Sequence, residues 1–227
     1  MSPRPRREER HPDLLRAIKE TAWKQIAEWG AAALNLRAIA RDLGITAPSI
    51  YNYFPNRDNL VTSLIVDAYN SLAEAQEAAL ESRSAESLST KLYTLGIAYR
   101  DWGVTFPQRY QLIFGTPIPN YHAPDDVTTS AATRALVPLI KVLKDLQTTN
   151  ALRTERLSEM SPRLESMLRS WQEAEGGSDI ETLYLAIVMW SRLHGLVGLE
   201  IGNQFPPFID AAEIFQREMS NILIQYL

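Results

Sequence analysis

Apolar residues recur at helical spacing along nearly the whole chain, and no stretch alternates apolar and polar positions as a half-buried strand would. Leu14, Leu15, Ile18, Ala22, Ile26 and Trp29 form a first stripe, and Gly30 ends it. Asn35 is placed to cap a short second helix from Leu36 to Leu43, which Gly44 terminates. Thr46 is placed to cap a third, with Pro48 in the first turn where a missing N–H costs nothing, and the pattern runs to about Phe54. Pro55 breaks the chain and Asn56 caps again. Leu60, Leu64, Ile65, Ala68, Leu72 and Ala75 then mark one side of a long helix from Arg57 to about Glu81.

Further helices are predicted over Glu86 to Thr105, Gln108 to Phe114, Val127 to Leu146, and Arg163 to Glu173 after a Ser161-Pro162 start. Pro117, Pro119 and Pro124 make the stretch from Gly115 to Asp126 irregular. Ser178-Asp179-Ile180-Glu181 has the spacing of a capping box, opening a helix to about Gly202. Pro206-Pro207 separates that helix from a last one, about Phe208 to Tyr226. The chain therefore reads as all-α, divided into a tail (1–11), a three-helix unit (12–56) and a larger helical domain (57–227).

Composition narrows the function. The chain has 227 residues, of which 45% are hydrophobic and 22% charged, so neither a disordered nor a fibrous protein fits. The lack of Cys excludes disulfides, thiolate nucleophiles and Cys-ligated zinc, and suits a reducing, cytoplasmic setting. The longest apolar run, Leu183 to Trp190, falls short of the roughly 18 residues of a membrane span, so no membrane partner is expected. The Arg-rich start leads into no apolar stretch, so a secretory signal is not expected either. His11, His122 and His194 are too scattered for a metal site, and no G-x-S-x-G, H-E-x-x-H or Gly-rich phosphate loop occurs. No enzymatic activity, metal or cofactor is expected. The net charge of −4 hides an asymmetry: residues 1–60 carry ten Lys and Arg against seven acids, leaving −7 on the remainder. Arg4, Arg6, Arg7 and Arg10 suit an arm reaching DNA or, with Glu8 and Glu9 among them, a solvated tail.

The stretch from Leu36 to Tyr53 meets the needs of two short helices crossing steeply. Ala40 is a small contact, Gly44 a corner, and Ile39, Leu43, Ile45 and Ile50 a shared core. An ordinary helical hairpin has the same spacing. The outward residues of the third helix separate the two readings: Ala47, Pro48, Ser49, Tyr51, Asn52 and Tyr53 include no acid, so this face is able to approach phosphate. Hydroxyls and helix-end N–H groups, with Thr46 and Ser49 among them, suit phosphates. Asn52 suits an adenine edge, Ala47 or Pro48 a thymine methyl, and Tyr51 and Tyr53 phosphate clamps.

The run Leu36-Arg37-Ala38-Ile39-Ala40-Arg41-Asp42-Leu43-Gly44-Ile45-Thr46-Ala47-Pro48-Ser49-Ile50-Tyr51-Asn52-Tyr53-Phe54-Pro55-Asn56-Arg57-Asp58-Asn59-Leu60 resembles the helix-turn-helix signature of the TetR family of bacterial transcription factors. Arg57 stands where that family often has Lys, and Tyr53 where it often has His. The resemblance implies phosphate contact by both, and a backbone or base contact by Arg37. Phe106 to Pro117 and Trp190 to Glu200 resemble the C-terminal domain of the branch named for a Trp-His-Gly motif, with Trp190 four residues before His194. The resemblance implies a homodimer on double-stranded DNA, joined through its last two helices, with a cavity for a small-molecule effector in each C-terminal domain.

Trp102, Phe106, Tyr110, Phe114, Met167, Trp171 and Trp190 supply large apolar side chains of the kind that line ligand cavities, with Arg109, Tyr110 and His194 as polar anchors. Most would equally serve as core, and His194 as a hydrogen-bonded structural histidine. Gly195, Gly198 and Gly202 share roughly one helix face open to another helix, and Phe208, Ala212, Phe215, Met219, Ile222 and Tyr226 form a last apolar stripe. That stripe suits either a monomer core or an isologous dimer, and two such helices favour the dimer. The function expected is a dimeric repressor of a palindromic operator, released by a hydrophobic or aromatic ligand. A ligand-independent architectural DNA binder and a helical enzyme using the C-terminal cavity are the alternatives.

Overall fold

Helices begin where a side chain can satisfy the free N–H groups of a first turn. The computed structural model describes residues 10–154, 157–175 and 177–227; Arg4, Arg6, Arg7 and the Arg10 side chain, the expected arm, lie outside the described residues. Helix α1 spans Arg10–Trp29 and a short 3-10 turn follows at Ala31–Ala33. Asn35 Oδ1 accepts from the N–H groups of Arg37 (2.9 Å) and Ala38 (3.2 Å) to open α2, Leu36–Asp42. Asn56 Oδ1 accepts from the Asn59 N–H (2.9 Å) at the start of α4, Arg57–Glu81. Ser87 opens α5, Leu88–Thr105, and Asp210 opens α10, Ala211–Tyr226. Between them lie α6, Pro107–Phe114, α7, Asp125–Thr148, α8, Pro162–Glu175, and α9, Ile180–Ile201. No strand occurs among the described residues.

Two caps differ from expectation. Thr46 precedes α3, Ala47–Tyr51, but makes no side-chain cap bond; its hydroxyl shares a 2.8 Å hydrogen bond with Ser49 Oγ. The N-cap of α9 is Asp179 rather than Ser178. Ser178 is buried, and its carbonyl accepts from Gln172 Nε2 at 2.7 Å. Gln147 ties this helix start to α7, donating to Asp179 and accepting from Thr182. Helix α3 is also shorter than its pattern: the N–H groups of Tyr53 and Phe54 both reach the Ile50 carbonyl at 3.0 Å, closing the turn before Pro55, which disfavours helical geometry at Phe54.

The chain divides into two compact units, one comprising residues up to Tyr69 with Gln108–Ala131, the other Asn70–Pro107 with Ala132–Leu227. The boundary expected at 56/57 falls inside the first of these units. The physical reason is the first half of α4, whose Leu60, Val61, Leu64 and Ile65 are buried in the first unit's core with Ile18, Ala22, Ile39, Ile50 and Phe54. Leu112, Ile113, Ile118 and Tyr121 pack against the same core. Buried Gln25 binds the Asn35 N–H (3.3 Å) and Asp42 (3.4 Å), tying α1 to both ends of α2.

In the second unit, Leu92, Leu95, Tyr99 and Trp102 of α5 are buried, as are Leu183, Leu185, Ala186, Met189, Leu193 and Val197 of α9 and Phe215, Met219, Ile222 and Tyr226 of α10. Helix α7 contains Pro138, which lacks an N–H and weakens the bonding of the carbonyls one turn back. The amide of buried Gln76 donates to one of these, Ala135 O, at 2.8 Å. By length and composition α9 is apolar enough to cross a membrane, contrary to the sequence expectation. Its apolar positions are instead partly taken up by the unit's own core, and two of its charges are paired, Glu200 with Arg100 and Arg192 with Glu218.

Candidate nucleic-acid interface

The corner between α2 and α3 is Gly44, at φ +63°, a value that L side chains rarely adopt. The Ile45 N–H reaches back to the Ala40 carbonyl at 3.0 Å, locking the turn, and Ile39, Ala40 and Ile50 are buried between the helices. Consequently α3 turns its other side outward. Tyr51 is 39% exposed, and Pro48 and Asn52 are exposed; Ala47 and Ser49 are half-buried, and Thr46 is exposed before them. Tyr53 departs from its outward placement: it is half-buried and packs on the core of the first unit. No carboxylate lies on α3 itself.

Beside α3 the chain forms a cleft of about 490 Å³, lined by Asn35, Arg37, Tyr51, Asn56 and Arg57 with Leu34, Leu36 and Pro55. Three residues singled out from sequence, Arg37, Tyr51 and Arg57, are thus brought together. The starts of α2 and α4 open on the cleft, so two guanidinium-bearing chains, a phenol and two capping Asn side chains share one polar concavity that suits phosphate oxygens. Thr46, Ala47, Pro48, Ser49, Asn52 and Tyr53 do not line it. Asn35 and Asn56 were read from sequence only as caps; the signal that could have marked them is that a cap stands at the helix end an anion approaches. Arg57 is held by Asp58, with Nε 3.0 Å and Nη2 2.9 Å from Oδ1. This pair is partly exposed and of small worth, so a phosphate can replace the carboxylate.

The residues expected around an effector are divided between the units. Arg109 lies over the Trp23 ring at 5.6 Å, Tyr110 is buried, and Phe114 meets Tyr69 edge-on with centroids 5.9 Å apart, all within the first unit. In the second unit, the Trp102 indole N–H donates to Ser71 Oγ at 3.1 Å, and its ring lies 6.4 Å from Phe106. His194 Nδ1 is 3.0 Å from the Tyr99 hydroxyl, and its ring lies 5.0 Å from that of Trp190, tilted by 31°. Burial lowers the His194 pKa below its ordinary value, because the cation loses hydration there. Trp171 is half-buried on α8, whereas Met167 is 62% exposed: α8 buries the neighbouring Leu168 and so turns Met167 outward, away from any interior lining. Tyr99 escaped the sequence reading because it is one apolar-stripe residue among several on α5.

The outer faces of the last two helices carry a different pattern. Ile187, Ser191, Gly195 and Leu199 follow one another at four-residue intervals on α9 and are all exposed, as are Ile214, Arg217, Asn221 and Ile224 on α10. A Cβ placed on Gly195 would meet nothing within 4 Å. Phe208, in the turn before α10, is 86% exposed. The stripe of Phe215, Met219, Ile222 and Tyr226 is the protomer's own core, since those residues are buried without any partner. The outward apolar residues are Ile214 and Ile224 instead.

A model of the tetR family of bacterial regulatory proteins matches residues 18–64, and one described as a tetracyclin repressor-like C-terminal domain matches residues 92–222. The HTH-type transcriptional regulator Rv1816 of Mycobacterium tuberculosis is 34% identical over 188 residues, covering 83% of this chain and 80% of its own length. A solved structure described as that of a regulatory protein, SCO4313, is 36% identical with a TM-score of 0.78, covering 97% of this chain and 99% of that one. A protein from Rhodococcus sp. RHA1 shares the fold at 19% identity and a TM-score of 0.71, covering 93% and 94%.

Proposed function

The chain belongs to the TetR family of bacterial regulatory proteins, and from that premise we propose that it is a homodimeric repressor of a palindromic operator, released by a small hydrophobic or aromatic effector. As a member it is a transcriptional regulator that binds DNA through its helix-turn-helix. The finer reading is carried by the cleft in which Arg37, Tyr51 and Arg57 converge beside an acid-free α3. Arg57 and Tyr51 hold phosphates from this cleft, while α3 enters the major groove and Asn52 reads a base edge. Thr46 and Ser49 hold backbone, Ala47 and Pro48 lie against a thymine methyl, Tyr53 braces α3 from its half-buried place, and Arg37 meets backbone or base.

Dimerisation through α9 and α10 is supported by their outward apolar residues and by the open flank at Gly195. A two-fold dimer sets two recognition helices about 34–36 Å apart, one turn of DNA. The effector contacts are assigned to Trp102, Phe106, Trp190 and His194 of the second unit, together with Trp171 of α8. Release requires the effector to favour the state that does not bind DNA; a hundredfold preference, about 2.7 kcal/mol, lies within ordinary coupling energies. Such a regulator works where the chromosome is, in the cytoplasm.

Selection of bound fragments from bacterial genomic DNA tests the reading. Two inverted half-sites with centres one helical turn apart are expected, and recovery of single unpaired half-sites refutes the two-fold repressor.

A further inference from the structure

The irregular stretch between α6 and α7 carries a side chain with no role so far. Tyr121 packs against the core of the first unit, and its hydroxyl lies 2.9 Å from Thr62 Oγ1 on α4. Thr62 has one hydroxyl hydrogen, and the Asp58 carbonyl one turn back, 2.9 Å away, takes it. The Tyr121 phenol is therefore the donor to Thr62, and the run from Tyr121 through Thr62 to Asp58 has one direction. Asp58 in turn holds Arg57 through its carboxylate, and Arg57 lines the cleft beside α3. The backbone is shaped to deliver the phenol: the Tyr121 N–H reaches the Ile118 carbonyl at 3.2 Å, and Asn120 takes φ +59°, a left-handed value that Asn tolerates.

We propose that Tyr121 is a positioning residue for DNA binding, its hydroxyl pinning the first two turns of α4 and so the presentation of Arg57 to a phosphate. The inference rests on Arg57 being a phosphate contact. Hydrogen bonds in such a run polarise one another, so losing the first weakens the second. From Tyr121 the chain runs through Pro124 into α7, so the start of α7 is tied by two hydrogen bonds to the first turn of α4, from which Arg57 projects.

A double-mutant cycle on the full chain tests this, with affinity for one fixed-sequence duplex read by fluorescence anisotropy across a salt series and melting temperatures read alongside. Tyr121→Phe keeps the ring and removes the donor; it is expected to weaken binding about 3- to 10-fold, the effect of about one hydrogen bond, and to reduce the salt slope by up to about 0.9, one phosphate's share. Thr62→Ala is expected to do the same, and the two together no more. In an Arg57→Ala background Tyr121→Phe is expected to change affinity less than about 2-fold. Equal losses in both backgrounds would mark a merely structural phenol and overturn the proposal, as would wild-type affinity and slope for Tyr121→Phe. An Arg57→Ala variant that binds like wild type would instead remove the phosphate contact itself, and the positioning role with it.

Discussion

Gly195→Ala separates a solvated α9 face from a face covered by a second copy. Gly195 lies within α9, Ile180–Ile201, and a new Cβ there meets nothing within 4 Å in the protomer. If water covers that flank, only helix propensity changes, and Ala stabilises by about 1 kcal/mol, raising the melting temperature by about 2–4 °C for a chain of this size. If a partner helix crosses at Gly195, the methyl intrudes on a close contact at about 1–3 kcal/mol, and two-fold symmetry counts it twice. The dimer should then weaken by about 2–6 kcal/mol, roughly 30-fold to 10⁴-fold in dissociation constant. Sedimentation velocity over a dilution series of wild type and variant gives that constant, while melts at concentrations below dissociation give the protomer's stability. The expected outcome is a stabler protomer and a weaker dimer. A variant that melts higher and dimerises like wild type would remove the α9 flank from the interface.

Three further outcomes follow from particular residues. Asn52→Ala should cost about 1–3 kcal/mol mainly at one operator position, whereas Arg57→Ala should weaken operator and random duplexes alike; a base-by-base binding scan distinguishes them, and equal losses for Asn52→Ala would end its assignment as a reader. The pKa of His194 is lowered by burial from 6.5, so the unfolded chain takes up the proton first as pH falls. Its contribution to stability is complete above 6.5 and is lost as pH drops through the folded-state value; His194→Gln should flatten this part of the melting-temperature profile, and an unchanged profile would contradict the burial argument. A Cβ on Gly96 would overlap the end of the buried Met219 side chain, an overlap of about 1–3 kcal/mol set against about 1 kcal/mol of helix propensity, so Gly96→Ala should destabilise by up to about 2 kcal/mol in chemical denaturation; a more stable Gly96→Ala would show that Met219 moves aside.

What the chain's order of residues determined is what neighbours a few positions apart decide. The caps at Asn35 and Asn56, the corner at Gly44 and the break at Pro55 act through hydrogen bonds and steric limits within one turn, and the helix-turn-helix followed from them. Local signals misled at two caps: Asp179 rather than Ser178 caps α9, with Gln147 bonded to it from a distance, and Ser49, three residues on, engaged the Thr46 hydroxyl. Tertiary structure alone decided the rest. An apolar stripe does not say what covers it, so the residues from Phe215 to Tyr226 read in favour of an interface until packing made them the protomer's core. Placing Gln108–Ala131 with the first unit depended on which surfaces Leu112, Ile118 and Tyr121 could bury. The pairings of His194 with Tyr99, Glu200 with Arg100 and Tyr121 with Thr62 join residues more than fifty positions apart. Such contacts depend on the summed burial of whole helices, which no periodicity within one helix encodes.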